Sequence, residues 1–124
     1  MVNLTFVFLP LYLYPHNASS WSAITTDVAA NPTLRFQVVV APNVSNVYPD
    51  VNDKNAISGL NKYSNVQMLG YVPTSSENRD KTAVMVDISA YVAWSNFLTA
   101  NIAVQGIFFL TKRRHYKALL RSHI

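Results

Sequence analysis

Arg35-Phe36-Gln37-Val38-Val39-Val40 is an almost unbroken run of β-branched and aromatic residues. A strand with one face in water alternates apolar and polar side chains, whereas a strand covered on both faces reads as a continuous apolar run. Three other segments share this character: Thr5 to Leu11 (TFVFLPL), Val66 to Tyr71 (VQMLGY) and Gln105 to Phe109 (QGIFF). Between them the apolar residues take helical spacing. Trp21, Ile24 and Val28 follow the candidate caps Ser19 and Ser20; Val51, Ile57 and Leu60 follow Pro49-Asp50; Val84, Ile88, Tyr91 and Val92 precede the fourth run. The pattern is β-α-β-α-β-α-β with a repeat of roughly thirty residues, the size of a βαβ unit with right-handed parallel crossovers.

Two α/β architectures fit this pattern. A small open doubly wound sheet uses about this much chain, and a (β/α)8 barrel needs about 250 residues, so the 124 residues present would make its N-terminal half. Length alone favours the open sheet. Both place their ligand sites at the C-terminal ends of the strands, so the residues to inspect are Tyr12 to His16, Ala41 to Asn43, Val72 to Thr74, and Leu110 with Thr111.

The chain is half hydrophobic and 13% charged, which excludes disordered and low-complexity classes. Its net charge of +4 suggests an anionic partner until its position is examined. All of the excess sits in Lys112, Arg113, Arg114, Lys117 and Arg121, and the body before them is nearly neutral, so no nucleic-acid partner is expected. With no Cys there is no disulfide, thiolate metal site or Cys nucleophile, and no metal or cofactor is expected. The apolar stretch from Met1 to Leu13 lacks a basic start and is interrupted by Pro10, so it reads neither as a signal peptide nor as a transmembrane segment. Asn3, Asn17 and Asn43 each open a glycosylation triplet, a weak pointer to secretion.

The strand-end loops hold no glycine-rich phosphate loop and no G-x-S-x-G elbow. Tyr12 and Tyr14 are placed to offer aromatic faces to a sugar ring, or equally to fill the edge of the core. His16 has no partner at ligand spacing. Glycosidic hydrolysis usually takes two carboxylates about 5 to 9.5 Å apart. None of the six acidic residues directly follows a strand; Asp27, Asp80 and Asp87 read as solvated helix residues, and Asp50 and Asp53 as helix-start charges.

An ordered set of strings carries more information. Leu9-Pro10-Leu11-Tyr12-Leu13-Tyr14-Pro15, Trp21, Ala30-Asn31-Pro32, Phe36 to Val40, Pro42-Asn43, Tyr48-Pro49-Asp50, Asn65-Val66, Gly70-Tyr71-Val72, Thr74, Arg79, Asp87-Ile88, Tyr91, Trp94 and Gly106-Ile107-Phe108-Phe109 stand in the order seen in one family. Across roughly residues 6 to 109 the chain resembles the spherulation-specific family 4, the spherulin-4-like proteins of fungi and slime moulds. The resemblance implies a (β/α)8 TIM-type barrel, secreted or at the cell surface, related to glycoside hydrolases that act on galactosamine-containing polysaccharide. It implies substrate-binding roles for Tyr12, Tyr14, Asn43, Tyr71, Thr74 and Arg79. In the family an Asp-Glu pair follows the Gly-Ile-Phe-Phe string, and here Leu110 and Thr111 occupy those positions. Other departures are Ala41 for Asn, Val44 to Val47 for a Gly-rich turn, Pro73 for His, and Ser76-Glu77 for Tyr-Gly. The expectation is a glycoside hydrolase-like chain that is truncated and catalytically inactive, retaining at most weak polysaccharide binding.

The reading divides the chain into a partial β/α domain over 1–111 and a basic tail over 112–124. In the tail Tyr116, Leu119, Leu120 and Ile124 share a helical face, so a helix is expected there. The alternative function is a small α/β binding module whose basic C-terminal helix contacts an anionic partner. Half a barrel would leave the first and fourth strand edges unpaired, which predicts self-association through them.

Overall fold

The computed structural model describes residues 6–75, 78–110 and 116–120. Four parallel strands alternate with three helices: β1 (Phe6–Leu11), α1 (Ser22–Ala30), β2 (Arg35–Val40), α2 (Val51–Asn61), β3 (Val66–Tyr71), α3 (Lys81–Ala93) and β4 (Gly106–Leu110), with a short 3-10 turn at Trp94–Asn96. A further strand, β5 (Tyr116–Leu120), runs antiparallel to β4. The second and third apolar runs define β2 and β3 to the residue, and β4 starts one residue later than its sequence pattern suggested.

The sheet order β1-β2-β3-β4-β5 is sequential. A doubly wound sheet reverses direction at a switch point and carries helices on both faces. Here every crossover steps to the next strand and the helices share one face, so the open-sheet alternative is ruled out and the arrangement is that of half a β/α barrel. The burial pattern agrees. Phe36, Val38 and Val40 of β2, with Met68 and Ile107, pack with helix residues Val28, Ile57, Leu60 and Tyr91 in the main core. The alternate residues Val39, Leu69 and Phe108 form a separate small cluster with Tyr71 on the opposite, concave face. Successive strand residues point to opposite faces, so this split follows from the pleat.

The sheet is strongly curled. In a flat sheet β1 and β4 would lie about 14 Å apart, three spacings of about 4.8 Å. Instead the rings of Phe8 and Phe108 meet across the concave face with centroids 5.2 Å apart. Asparagines tie the opposite, N-terminal ends of the strands to the helices: Asn65 Nδ2 donates to the carbonyls of Val28 and Asn31, and Asn61 Nδ2 to those of Asn101 and Ala103.

Three local expectations are corrected. The tail was expected to be helical, but Tyr116–Leu120 pairs with β4 as a strand; a short apolar segment beside an unpaired strand gains ladder hydrogen bonds that an isolated helix of this length lacks. The fourth strand's edge is consequently covered, and among the described residues only the outer edge of β1 has no partner strand. Ser19 and Ser20 do not cap α1. Asn17 Oδ1 accepts from Ser19 N at 2.9 Å and from Ser19 Oγ at 2.7 Å, an Asx turn that holds the chain ahead of the helix.

The loop before α2 contains a strained residue. Val47 has φ 69°, a left-handed conformation costly for a β-branched side chain. Its carbonyl accepts from the buried Trp94 indole at 2.6 Å, and its N–H donates to Val44 O at 2.9 Å. This is where family resemblance expects a glycine-rich turn; the chain keeps the turn and pays its steric penalty.

Candidate functional site

The C-terminal ends of the parallel strands bring part of the expected set together. Tyr12, just past β1, and Tyr71, closing β3, approach to 5.7 Å between ring centroids, and Tyr71 lies 6.3 Å from Phe108. With Phe8 these rings make an aromatic wall across the concave face, with Phe8 and Tyr12 about half exposed. Parity explains it: Phe8, Leu69, Tyr71 and Phe108 lie on the face away from the helices. The wall is fixed from behind by Tyr91 of α3. Tyr91 is buried, its hydroxyl donates to Tyr71 O at 2.9 Å, and its ring packs edge-on against Trp94 at 4.9 Å. Gly70 permits this, because a Cβ there would lie 2.5 Å from the Tyr91 ring. Burial pushes the Tyr91 phenol well above the usual tyrosine range, so it stays a neutral donor.

Asn43, Tyr71 and Asp87 border a hollow of about 380 Å³ beside the wall. Arg79 does not reach out to it as a free cation. Its Nη1 donates to Asp87 Oδ2 at 2.7 Å and to Pro73 O at 3.0 Å, so it fastens α3 to the loop after β3. Asp87, expected to be solvated, is therefore a paired group in the wall of the hollow. Thr74 contributes its carbonyl to Arg79 N within the same loop. Asn43 turns inward on its own loop, its Oδ1 accepting from Ser45 N at 2.9 Å and Ser45 Oγ at 2.7 Å. Leu110 ends β4, and Thr111 lies outside the described residues, as do Ser76 and Glu77.

Tyr14 goes elsewhere. Its hydroxyl donates to Asp50 Oδ2 at 2.5 Å and accepts from Asn52 Nδ2 at 3.1 Å, while its ring meets His16 edge-on at 4.8 Å. The Asp50 bond raises the Tyr14 phenol pKa. Tyr14, Asp50, Asp53, Trp21 and Asn43 line a second, smaller cavity of about 150 Å³ at the ends of β1 and β2. Asp50 is the N-cap of α2: its Oδ1 accepts from Asp53 N at 2.9 Å, and this bond with that from Tyr14 holds its carboxyl below the usual range. Asp53 behaves oppositely. It is 8% exposed, and burial together with the neighbouring Asp50 charge raises its pKa to about 6. Expected as a helix-start charge, it is a buried acid beside another acid.

Sequence reading missed Asp50, Asp53 and Asp87 as site residues because each follows its strand by at least ten positions; the helix starts return them to the strand ends. The N-cap spacing of Asp50 and Asp53 was the available signal. Among the described residues, no group of three or more His, Cys, Asp or Glu side chains gathers as a metal site. No helix of the described residues is long and apolar enough to cross a membrane.

Comparison with known proteins places this geometry. Curated protein sequences give no match. Among solved structures, Aspergillus clavatus Sph3 in complex with GalNAc is similar with a TM-score of 0.81 and 36% sequence identity, over 87% of this chain and 44% of that one. The chain thus spans less than half the length of that relative. The profile of the spherulation-specific family 4 matches residues 6–119, ten residues further than the resemblance visible in the strings and through most of β5. With a family profile matched over nearly the whole chain and the strand order of half a β/α barrel, the protein belongs to spherulation-specific family 4.

Proposed function

We propose that this chain binds galactosamine-containing polysaccharide along its concave aromatic face, outside the cell or at its surface, and does not hydrolyse it. The observation that carries the reading is the pair of Tyr12 and Tyr71 rings at the strand ends, backed by the buried Phe108, flat apolar faces of the kind that stack on sugar rings. The GalNAc complex of the similar Sph3 supports the choice of sugar. The absence of turnover follows from Leu110 and Thr111, which stand where the family resemblance expects an Asp-Glu pair. Of the carboxylates that do come to the strand ends, Asp87 is paired with Arg79, Asp50 is committed to capping α2, and Asp53 lines the separate small cavity rather than the hollow beside the aromatic wall.

The test is a titration with N-acetylgalactosamine oligosaccharides followed by NMR, alongside a reducing-sugar assay on the polysaccharide. Tyr71→Ala and Tyr12→Ala should each weaken binding by roughly tenfold, about 1.4 kcal/mol. Binding that ignores both substitutions, or no binding at all, overturns the site. Release of reducing ends overturns the inactivity.

A further inference from the structure

We propose that Asn17 and Asn43 carry N-linked glycans, and that the glycan on Asn43 restricts access to the hollow beside the aromatic wall. The proposal rests on the reading that places the chain outside the cell or at its surface, and on the polysaccharide reading for what is restricted.

Asn17-Ala18-Ser19 and Asn43-Val44-Ser45 are glycosylation triplets, and both fold in the same way although they follow different strands. In each, the asparagine Oδ1 accepts from the N–H of the serine two residues on at 2.9 Å and from its hydroxyl at 2.7 Å. Both asparagines are exposed. The turn uses Oδ1 only, so the two Nδ2 donors are left over, and among the described residues neither Nδ2 makes a hydrogen bond.

Nδ2 is the atom that an N-glycan takes. Its nitrogen bonds to the anomeric carbon of the first sugar, whose bond to a lipid-linked diphosphate breaks with the electron pair going to the diphosphate. One amide proton passes to a base of the transferase, and nothing is oxidised or reduced. The fold gives up no hydrogen bond, because both turns hold through Oδ1.

Other asparagines show the contrast. Asn31-Pro32-Thr33 has proline at its centre, and Asn31, also exposed, commits Nδ2 to Asp27 O at 2.9 Å. Asn61 and Asn65 each commit Nδ2 to two carbonyls. The triplet at Asn3 lies outside the described residues.

The two acceptors open onto different ground. Asn17 borders a groove of about 190 Å³ between α1 and α2, on the helix side of the sheet. Asn43 and Ser45 border the hollow of about 380 Å³ that Tyr71 and Asp87 also line. A glycan on Asn43 is a bulky, hydrated branch tethered at the mouth of the proposed polysaccharide site, at an effective concentration on the order of millimolar. A polymer lying on Tyr12 and Tyr71 has to share that space. A glycan on Asn17 leaves it clear.

The full chain, behind a cleavable secretory leader, is translated into eukaryotic microsomes, which reads glycan addition without requiring the product to fold or be released. Peptide-N-glycosidase in heavy-oxygen water then marks each occupied asparagine for peptide mapping. Asn17 and Asn43 should be marked and Asn31 unmarked, and Ser45→Ala should remove the mark at Asn43 alone. Absence of the mark from Asn17 or from Asn43 overturns the proposal. The same chain secreted from yeast is titrated with galactosamine-containing polysaccharide before and after endoglycosidase H trims each glycan to its first sugar. Trimming should tighten binding at least about threefold in the parent and in Asn17→Gln, and should change nothing in Ser45→Ala. An affinity that ignores trimming, or a gain that persists in Ser45→Ala, overturns the restriction at the hollow. If neither form binds the polymer, the function proposed above fails and takes the restriction with it, while occupancy of the two asparagines is still decided by the mapping.

Discussion

Replacing Gly70 by alanine tests whether α3 holds the aromatic wall in place. The added methyl would lie 2.5 Å from Cδ1 and Cε1 and 2.7 Å from Cζ of Tyr91, against roughly 3.4 Å for ordinary contact, so about 0.9 Å must be found. Tyr91 cannot swing away cheaply. It is 1% exposed, packs on Trp94, and is pinned by its hydroxyl to Tyr71 O. Overpacking of a tight core costs about 1–3 kcal/mol, and loss of the hydroxyl bond adds about 1 kcal/mol. The expected destabilisation is about 2–4 kcal/mol, a large part of a typical domain's stability. Equilibrium urea unfolding measures it, and Tyr91→Leu supplies the control. If the clash is the cause, Gly70→Ala in the Tyr91→Leu background should cost at least about 1 kcal/mol less than in the parent. A cost below about 0.5 kcal/mol in the parent, or simple additivity of the two changes, would refute the argument that β3 and α3 touch through the missing side chain.

Other consequences are as direct. Asp53→Asn should stabilise the protein at pH 7 by up to about 3 kcal/mol, two units of pKa displacement at about 1.4 kcal/mol each. The sign follows from a carboxyl whose folded pKa is raised: the native state binds the extra proton, so the parent loses stability as pH rises from about 4 to 6, and the advantage of the variant should vanish below pH 4. Urea unfolding at several pH values checks both. Asp50, held low, acts in the opposite sense and at lower pH, so Asp50→Ala should destabilise at pH 7 by about 1 kcal/mol through loss of the cap. Val47→Asn should raise stability by about 0.5–1 kcal/mol by relieving the left-handed turn, whereas Val47→Ala, which removes only the β-branched part of the penalty, should gain less; thermal melts distinguish them. Arg79→Met should cost about 1–2 kcal/mol by leaving Asp87 and the Pro73 carbonyl without their donor, and Arg79→Lys, lacking the planar fork, should restore only part of it in the same melts.

The strands were readable because burial on both faces writes itself as uninterrupted apolar sequence: RFQVVV and VQMLGY are β2 and β3 without adjustment. The choice between open sheet and barrel was not in that pattern, since both use the same β-α unit. What distinguishes them is which neighbour each strand selects, a property of crossovers rather than of any one segment. Family resemblance supplied it, and the sequential order agrees. Tyr12 was found both because it directly follows β1 and through the family resemblance, and Tyr71, the last residue of β3, through the resemblance alone. Tyr14 was grouped with Tyr12 by proximity, but β1 ends at Leu11, and beyond a strand's end alternation no longer dictates direction. The acids were misjudged because burial of a carboxylate at a helix start depends on what packs over it, here the loops after β1 and β2. The tail was misjudged for a related reason: its apolar spacing suits a helical face, but an available strand edge decides the outcome.

That edge is worth following further. Adding the next unit of a β/α barrel means laying a parallel strand against β4, yet β4 already has an antiparallel occupant, with Gly106 opposite Leu120 and Leu110 opposite Tyr116. Two strands of opposite direction cannot share one ladder, so any polypeptide that would extend this half barrel must first displace β5. Among the described residues the outer edge of β4 is thus already taken, whereas no described strand pairs with the outer edge of β1. The hairpin makes the two sides of the described sheet unequal, one edge covered by an antiparallel strand and the other without a described partner.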